Sequence, residues 1–350
     1  MYKRQRDAGR ISLAAPVLLV LGGLTKGTVW VWAGVLLLDE LVERMRRRTR
    51  GEPVAPAALG RVLPCLLVAA LGIALDAWMG AQHGPGAVEH GVPTTSLAAA
   101  MAGVHARYLY NLFVPVGLSI DYGIDPAGSW SDPLAWVGLL LVLGACVLLV
   151  VAWRRRWPLG VVAAGIWLLG LLPVNNLLPR TAILMADRYL YLPAAGLYLL
   201  VLGFVARSRV SRGVVLGLLA LLFGVLGIAR TGVFADSRTV WADATEKAPG
   251  SALAWFQRAN DAAVRGAWEP AIEWSDRAIA LEPRPEILVK ARLLRTGALL
   301  ARIARDGEAG RPVTDDALQE VLDEANRAAR LAQDLVALPV VREDPREVQA

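Results

Sequence analysis

Long apolar runs without a charged side chain most limit what this 350-residue chain can fold into. A helix needs about 20 apolar residues to cross roughly 30 Å of hydrocarbon. Four uncharged runs come close to that length, at 134–152, 158–174, 189–206 and 213–229. A fifth run, 62–79, is interrupted by Asp76 near its end. Because 55% of the chain is hydrophobic and only 19% is charged, we interpret it as a membrane protein.

The first apolar stretch, 11–38, contains Lys26 in its middle. A single helix there would place an ammonium group at mid-membrane, at a cost of about 3 to above 10 kcal/mol. Two short helices that turn near residues 25–27 avoid this cost. The sequence therefore predicts a hairpin, with Lys26 near the outer face and about seven membrane helices in total.

Arginines cluster in short segments between the apolar runs, at 44–50, 154–156 and 207–212. Such clusters are typical of cytoplasmic loops under the positive-inside rule. We therefore assign the net charge of +6 to membrane orientation, with no nucleic-acid partner. The segments 80–132 and 175–188, and everything after about 230, are then predicted to face outward.

The chain becomes polar after Arg230, and 252–283 has the spacing of a tetratricopeptide repeat. The residues that fit it are Trp255, Ala259, Gly266, Ala271, Ala278 and Pro283. A second, degenerate helical pair is predicted at 286–305 and 315–337. The predicted fold is all-α, with a polytopic membrane bundle (1–230), a linker (231–250), a repeat-like helical domain (251–337) and a frayed tail (338–350).

Two outward segments, 175–180 and 186–193, combine acidic, basic and aromatic residues at the mouth of an apolar run. Their candidate site residues are Arg180, Asp187, Arg188, Tyr189 and Tyr191. One interpretation is an interface belt, in which tyrosines anchor helices at headgroup depth. The other is a site where arginine forks bind the phosphate of an anionic lipid, while the rings contact its sugar or hydrocarbon chain.

A second group of polar and aromatic residues in the segments predicted to face outward ends at Asp121 and Tyr122. The preceding stretch, 96–116, is apolar but carries His105 and Arg107, which predicts a helix lying at the outer surface. Asp121 and Tyr122 are candidates for orienting a substrate hydroxyl, and the alternative is a lid that seals the bundle.

The loop residues His83, Glu89 and His90 can be drawn as metal ligands. They lie in a Gly/Pro-rich loop without helical spacing to preorganise them. We therefore predict no metal site.

These motifs resemble the transmembrane and tetratricopeptide-repeat O-mannosyltransferases and their bacterial relatives, within the GT-C glycosyltransferases. The resemblance rests on Leu-Thr-Lys-Gly at 24–27, Leu-Ser-Ile-Asp-Tyr at 118–122, Leu-Leu-Pro-Val-Asn-Asn-Leu at 171–177 and Ala-Asp-Arg-Tyr-Leu-Tyr-Leu-Pro at 186–193. It implies transfer of a sugar from a polyprenyl-phosphate carrier, at the outer side of the membrane, to an acceptor such as a protein hydroxyl. The positions that match family motifs are Lys26, Asp121, Tyr122, Asp187, Arg188 and Tyr189.

The same resemblance implies no cofactor beyond the lipid-linked donor, and a protein acceptor or partner bound by the repeat domain. Members of the superfamily carry a catalytic acid in their first outward loop, several spans before the Lys-bearing turn. Nothing here corresponds to that half. We therefore expect a C-terminal portion of a longer enzyme, inactive alone, with its catalytic base upstream of residue 1.

Arginine- and alanine-rich usage suggests a GC-rich bacterial genome, and hence the inner membrane with a periplasmic repeat domain. Two further functions are kept open. One is a non-catalytic membrane-anchored scaffold whose repeats recruit envelope proteins. The other is a lipid-linked oligosaccharide ligase or transporter, which needs further basic residues.

Overall fold

The computed structural model describes residues 14–25, 27–53, 62–82, 92–176, 183–207, 211–281 and 284–337. Within these ranges the regular structure is entirely helical, as the sequence predicts. The first eight helices are α1 (Ala14–Thr25), α2 (Val31–Thr49), α3 (Leu63–Gln82), α4 (Thr94–Phe113), α5 (Pro133–Arg154), α6 (Pro158–Leu171), α7 (Tyr191–Val205) and α8 (Arg212–Val233). Single 3₁₀ turns lie at Gly27–Trp30, Leu172–Val174 and Asp187–Leu190.

Five further helices complete the described chain: α9 (Ser237–Lys247), α10 (Ala252–Val264), α11 (Trp268–Ala280), α12 (Pro285–Glu308) and α13 (Asp315–Ala337). Helix α9 lies inside 231–250, the stretch predicted to be a linker. Helices α10 to α13 correspond closely to the two predicted helical pairs.

Contacts divide the chain into two compact units. The apolar unit comprises Met1–Val116 and Asp125–Ala220, and the repeat unit comprises Gly117–Ile124 and Leu221–Ala350. The short segment Gly117–Ile124 thus belongs with the C-terminal helices, although in sequence it lies between α4 and α5. The sequence instead predicts that this segment belongs to the membrane bundle (1–230).

In the described part of the chain, three helical segments are long and apolar enough to cross a membrane, judged by length and composition: Pro133–Arg154, Asp187–Val205 and Gly213–Val233. Three shorter apolar helical segments accompany them, at Ala14–Thr25, Leu63–Met79 and Pro158–Val174. All six coincide with runs that the sequence predicts to be membrane helices. These lengths indicate association with a membrane, while the count of seven spans stays a prediction.

In the apolar unit, α4 packs along α5, α5 along α6 and α6 along α7. The α4–α5 contact is close enough to require a residue without a side chain. A Cβ atom added at Gly138 of α5 would overlap the backbone carbonyl oxygen of Ala102 in α4. Small residues at such crossings are the usual means by which membrane helices approach closely.

Helix α4 lies within the stretch 96–116 that the sequence predicts to be a helix at the outer surface. Its residues 99–104 are all buried within the apolar unit, and His105 and Arg107 are largely covered by protein. Within the described residues, α4 is not among the segments long and apolar enough to span a membrane. Its position relative to a membrane stays a prediction.

In the repeat unit each helix from α9 to α13 packs against the next. Ala259, Ala271 and Ala278, which the sequence predicts to allow close helix approach, are fully buried. Arginine–carboxylate pairs join the later helices. Arg295 in α12 lies 2.6 Å from Asp276 in α11 and 2.7 Å from Glu320 in α13.

Candidate functional site

The segment that leads into α7 is held by the hydroxyl of Tyr108. This hydroxyl accepts a hydrogen bond from the backbone N–H of Ala186 at 3.1 Å and lies 3.4 Å from the carbonyl oxygen of the same residue, to which it donates. Tyr108 is only 1% exposed, and Ala186 is equally buried. One side chain of α4 therefore satisfies both backbone groups of a residue in extended conformation, as buried backbone groups require.

A second contact from α4 fixes the next residue. The amide of Asn111 donates to Oδ1 of Asp187 at 3.3 Å. Asn111 lies three residues after Tyr108, so the two side chains share one face of α4. Beyond Asp187 the backbone closes a 3₁₀ turn in which the N–H of Tyr189 donates to the carbonyl of Ala186 at 3.0 Å.

Arg188 is the exposed member of this anchored turn. Its guanidinium carbon lies 5.1 Å from the centroid of the Tyr189 ring, within the range of a cation–π contact. Among the described residues no carboxylate lies within ion-pair distance of Arg188. The turn therefore presents a guanidinium group, oriented by an aromatic ring, at the start of the candidate span Asp187–Val205.

The two tyrosines of α7 have different surroundings. The hydroxyl of Tyr198 donates to the backbone carbonyl of Leu112 at 3.0 Å, a third tie to α4. Tyr191 is 83% exposed. Its ring is thus available to a lipid, a sugar or the membrane interface, and both the interface-belt and substrate interpretations remain predictions.

Asp121 and Tyr122 lie in the repeat unit. The carboxylate of Asp121 is 7% exposed and accepts a hydrogen bond from the hydroxyl of Ser251. The hydroxyl of Tyr122 accepts from the backbone N–H of Ser119 at 3.2 Å. These contacts give both side chains partners inside the repeat unit, and their role toward a substrate hydroxyl stays a prediction.

Lys26 and Arg180, two further predicted phosphate contacts, lie outside the described residues. The same holds for the disfavoured metal ligands His83, Glu89 and His90. Within the described ranges, no group of three His, Cys, Asp or Glu side chains is placed to hold a metal ion. The expectation that the protein uses no metal or other cofactor stays a prediction.

The sequence predicted the residues of the turn but not the groups that hold it. Tyr108, Asn111 and Tyr198 were not among the predicted site residues. The sequence does indicate a role for Tyr108 and Asn111, because they are polar residues spaced by three in an apolar helix. Such residues usually find a partner inside a bundle.

Comparison with known family models, curated proteins and solved structures finds no match to this chain.

Proposed function

We propose that the chain belongs to a glycosyltransferase that takes a sugar from a polyprenyl-phosphate carrier at the outer side of the membrane, and that Arg188 binds the carrier phosphate. The observation that carries the proposal is the position of Arg188. It is an exposed guanidinium on an anchored turn at the start of an apolar helix long enough to span a membrane. A carrier lipid places its phosphate at that depth.

The chemistry needs a fixed cation at this point. When the sugar leaves the carrier, negative charge grows on the phosphate, and a preoriented donor stabilises that charge without reorganising. A guanidinium fork fits two phosphate oxygens at once. The hydrogen bonds of Tyr108 to Ala186 and of Asn111 to Asp187 hold the backbone on which Arg188 stands.

Neighbouring residues receive supporting roles in this proposal. Asp187 orients the turn through Asn111. Tyr189 restricts the guanidinium by stacking, and the exposed ring of Tyr191 contacts the sugar or the isoprenoid chain. We keep Lys26 and Arg180, which lie outside the described residues, as further candidates for phosphate binding. Seven membrane helices and an outward tetratricopeptide-repeat domain that binds a protein acceptor complete the arrangement.

Transfer from a labelled polyprenyl-phosphate sugar, measured in membranes that contain the full-length protein, tests the proposal. Arg188→Ala is expected to lower transfer about 100-fold or more, the usual effect of removing one charge-stabilising donor. Arg207→Ala is the matched control. Arg207 is also exposed, but it follows the C-terminal end of α7, where it binds the carbonyl of Gly203. Wild-type transfer in Arg188→Ala at equal protein level removes this residue from the site.

A non-catalytic scaffold is the second candidate, and the repeat unit favours it. Leu293, Leu300 and Leu322 on α12 and α13 are each at least half exposed, as at a protein-binding face. A scaffold needs no phosphate contact. Partner recruitment would then survive Arg188→Ala unchanged and fail on substitution of these leucines.

A further inference from the structure

The carboxylate of Asp121 is bound inside the repeat unit. Its Oδ2 accepts a hydrogen bond from the hydroxyl of Ser251, and its Oδ1 accepts one from the backbone N–H of Gly123 at 3.3 Å. Burying a carboxylate is costly unless it is hydrogen-bonded or paired. These partners therefore help to determine where the segment Gly117–Ile124, here called the anchored loop, can lie.

Ser251 joins the anchored loop to the beginning of α10. Its hydroxyl oxygen accepts a hydrogen bond from the backbone N–H of Ala254 at 3.0 Å, as an N-cap residue does. The same hydroxyl donates to Asp121. The carboxylate thus lies behind the helix cap, where a negative charge interacts favourably with the helix dipole.

Two further contacts bring the loop close to the end of α9 and to the cap residue of α10. The ammonium group of Lys247 donates to the carbonyl of Leu118 at 2.8 Å. Gly123 has a φ of +57°, and a Cβ added there would lie 3.1 Å from the Cβ and 3.3 Å from the backbone nitrogen of Ser251. A side chain at 123 would therefore be strained and would push against the cap residue.

A nearby cation balances the buried carboxylate. Burial lowers the pKa of the Arg284 guanidinium, and the negative charges of Glu286 and Asp121 oppose that shift. Arg284 directly precedes α12. The carboxylate of Asp121 therefore interacts with residues at the beginnings of two helices of the repeat unit.

We propose that Asp121 is a positioning residue, which fastens the anchored loop to the N-terminus of α10 so that loop and helix end open together. The loop is inserted in sequence between α4 and α5, and Ser251 lies 130 residues further along the chain. Its placement accordingly depends on the folding of the repeat unit. The proposal concerns this loop alone and stands without the transferase assignment.

Hydrogen exchange of the full-length protein in detergent micelles tests the proposal. Hydrogen bonds to charged groups are worth about 1.5–3 kcal/mol, which corresponds to at least about tenfold in an opening equilibrium. Asp121→Asn and Ser251→Ala are each expected to speed exchange of the amides in Gly117–Ile124 and in the first turn of α10 by about that factor. Within the anchored loop, the double variant is expected to match the single variants, because both remove the same link. At the first turn of α10, Ser251→Ala also removes the cap of Ala254.

Ser251→Thr, which keeps the hydroxyl, is expected to retain protection. Asp125→Asn is the matched control, since this exposed carboxylate caps the N–H of Ala127, and loop exchange should stay at the wild-type rate. The proposal is overturned if Ser251→Ala speeds exchange in α10 but not in the loop, or if the effects of the two substitutions on the loop add. Exchange in Ser251→Thr as fast as in Ser251→Ala would likewise remove the hydroxyl from the link. If Asp121→Asn does not fold, the comparison of Ser251→Ala with Ser251→Thr tests the link, because only the variant without the hydroxyl is expected to loosen the loop.

Discussion

The apolar unit and the repeat unit are both helical, yet different contacts stabilise them. In the apolar unit, a few polar side chains join helices: Tyr108 and Asn111 hold the turn before α7, and Tyr198 ties α7 itself to α4. In the repeat unit, arginines pair with carboxylates across the helices, as Arg295 does with Asp276 and Glu320. The same architecture therefore depends on close helix contacts and a few hydrogen bonds in one unit, and on many partly hydrated charges in the other.

This difference predicts how each unit responds to substitution. A buried polar group that loses its partner has no water to replace it, so the loss is large. A partly exposed ion pair exchanges protein contacts for water, so the loss is small and decreases with salt. We therefore expect effects to decrease in the following order.

The largest effect is expected for Gly138→Leu in the apolar unit. The side chain would overlap the backbone carbonyl of Ala102, so α4 and α5 must separate, at a cost of about 3 kcal/mol. Gly144→Leu in the same helix is the control, because a Cβ there meets nothing within 4 Å. Unfolding in mixed micelles should distinguish the two. Equal stability of both variants would show that the close contact does not hold the unit together.

A smaller loss, about 2 kcal/mol, is expected for Tyr108→Phe, because it leaves the buried backbone N–H of Ala186 without its partner, while the carbonyl keeps the N–H of Tyr189. Tyr191→Phe is the control, since Tyr191 is 83% exposed. The free energy of unfolding and the protease sensitivity of 183–190 are the measurements. A segment as protected in Tyr108→Phe as in the control would contradict the anchoring role of this hydroxyl.

In the repeat unit, Arg292→Met is expected to cost about 1–2 kcal/mol. It removes the closest partner of Glu324, at 2.8 Å, but Arg295 at 3.9 Å and Arg327 at 3.8 Å partly compensate. Arg327→Met, which removes a mostly exposed partner of the same carboxylate, should cost a few tenths of a kcal/mol. Thermal unfolding at two salt concentrations compares them. If Arg292→Met lowered the free energy of unfolding as much as Gly138→Leu does, the expected difference between the two units would be contradicted.

The smallest effect is a pH dependence at Asp243. Burial tends to raise the pKa of this carboxyl, but hydrogen bonds from Lys247 and Arg230 and their charges hold it below its ordinary value. A lowered folded-state pKa stabilises the fold above the unfolded value of about 3.9, and this contribution disappears as the pH falls through the folded value.

Asp243→Asn should therefore reduce stability near neutral pH, by less than about 1 kcal/mol for this partly hydrated group. It should have no effect in strong acid. Glu246→Gln, an exposed change in the same helix, should leave the acid profile of the melting temperature unchanged. A variant difference that grows toward low pH would contradict the direction of the shift.

The sequence predicts the helices well and their polar contacts poorly. The apolar run 134–152 and the small residues Ala259, Ala271 and Ala278 are local signals, and the structure contains the corresponding helices. The partners of Asp121 and Asp187 lie far away in the chain, at Ser251 and Asn111. No periodicity reports such long-range pairs, and the polar contacts of α4 are of the same kind.

The central claim, that Arg188 binds a lipid-linked phosphate, is tested most directly by binding without chemistry. Full-length protein in nanodiscs is titrated with polyprenyl phosphate and with the corresponding polyprenol. The account predicts that wild type and Arg207→Gln prefer the phosphate at least about tenfold, the effect of one charge-assisted contact, and that Arg188→Gln loses this preference while still binding the alcohol. Equal preference for the phosphate in Arg188→Gln and wild type would contradict it.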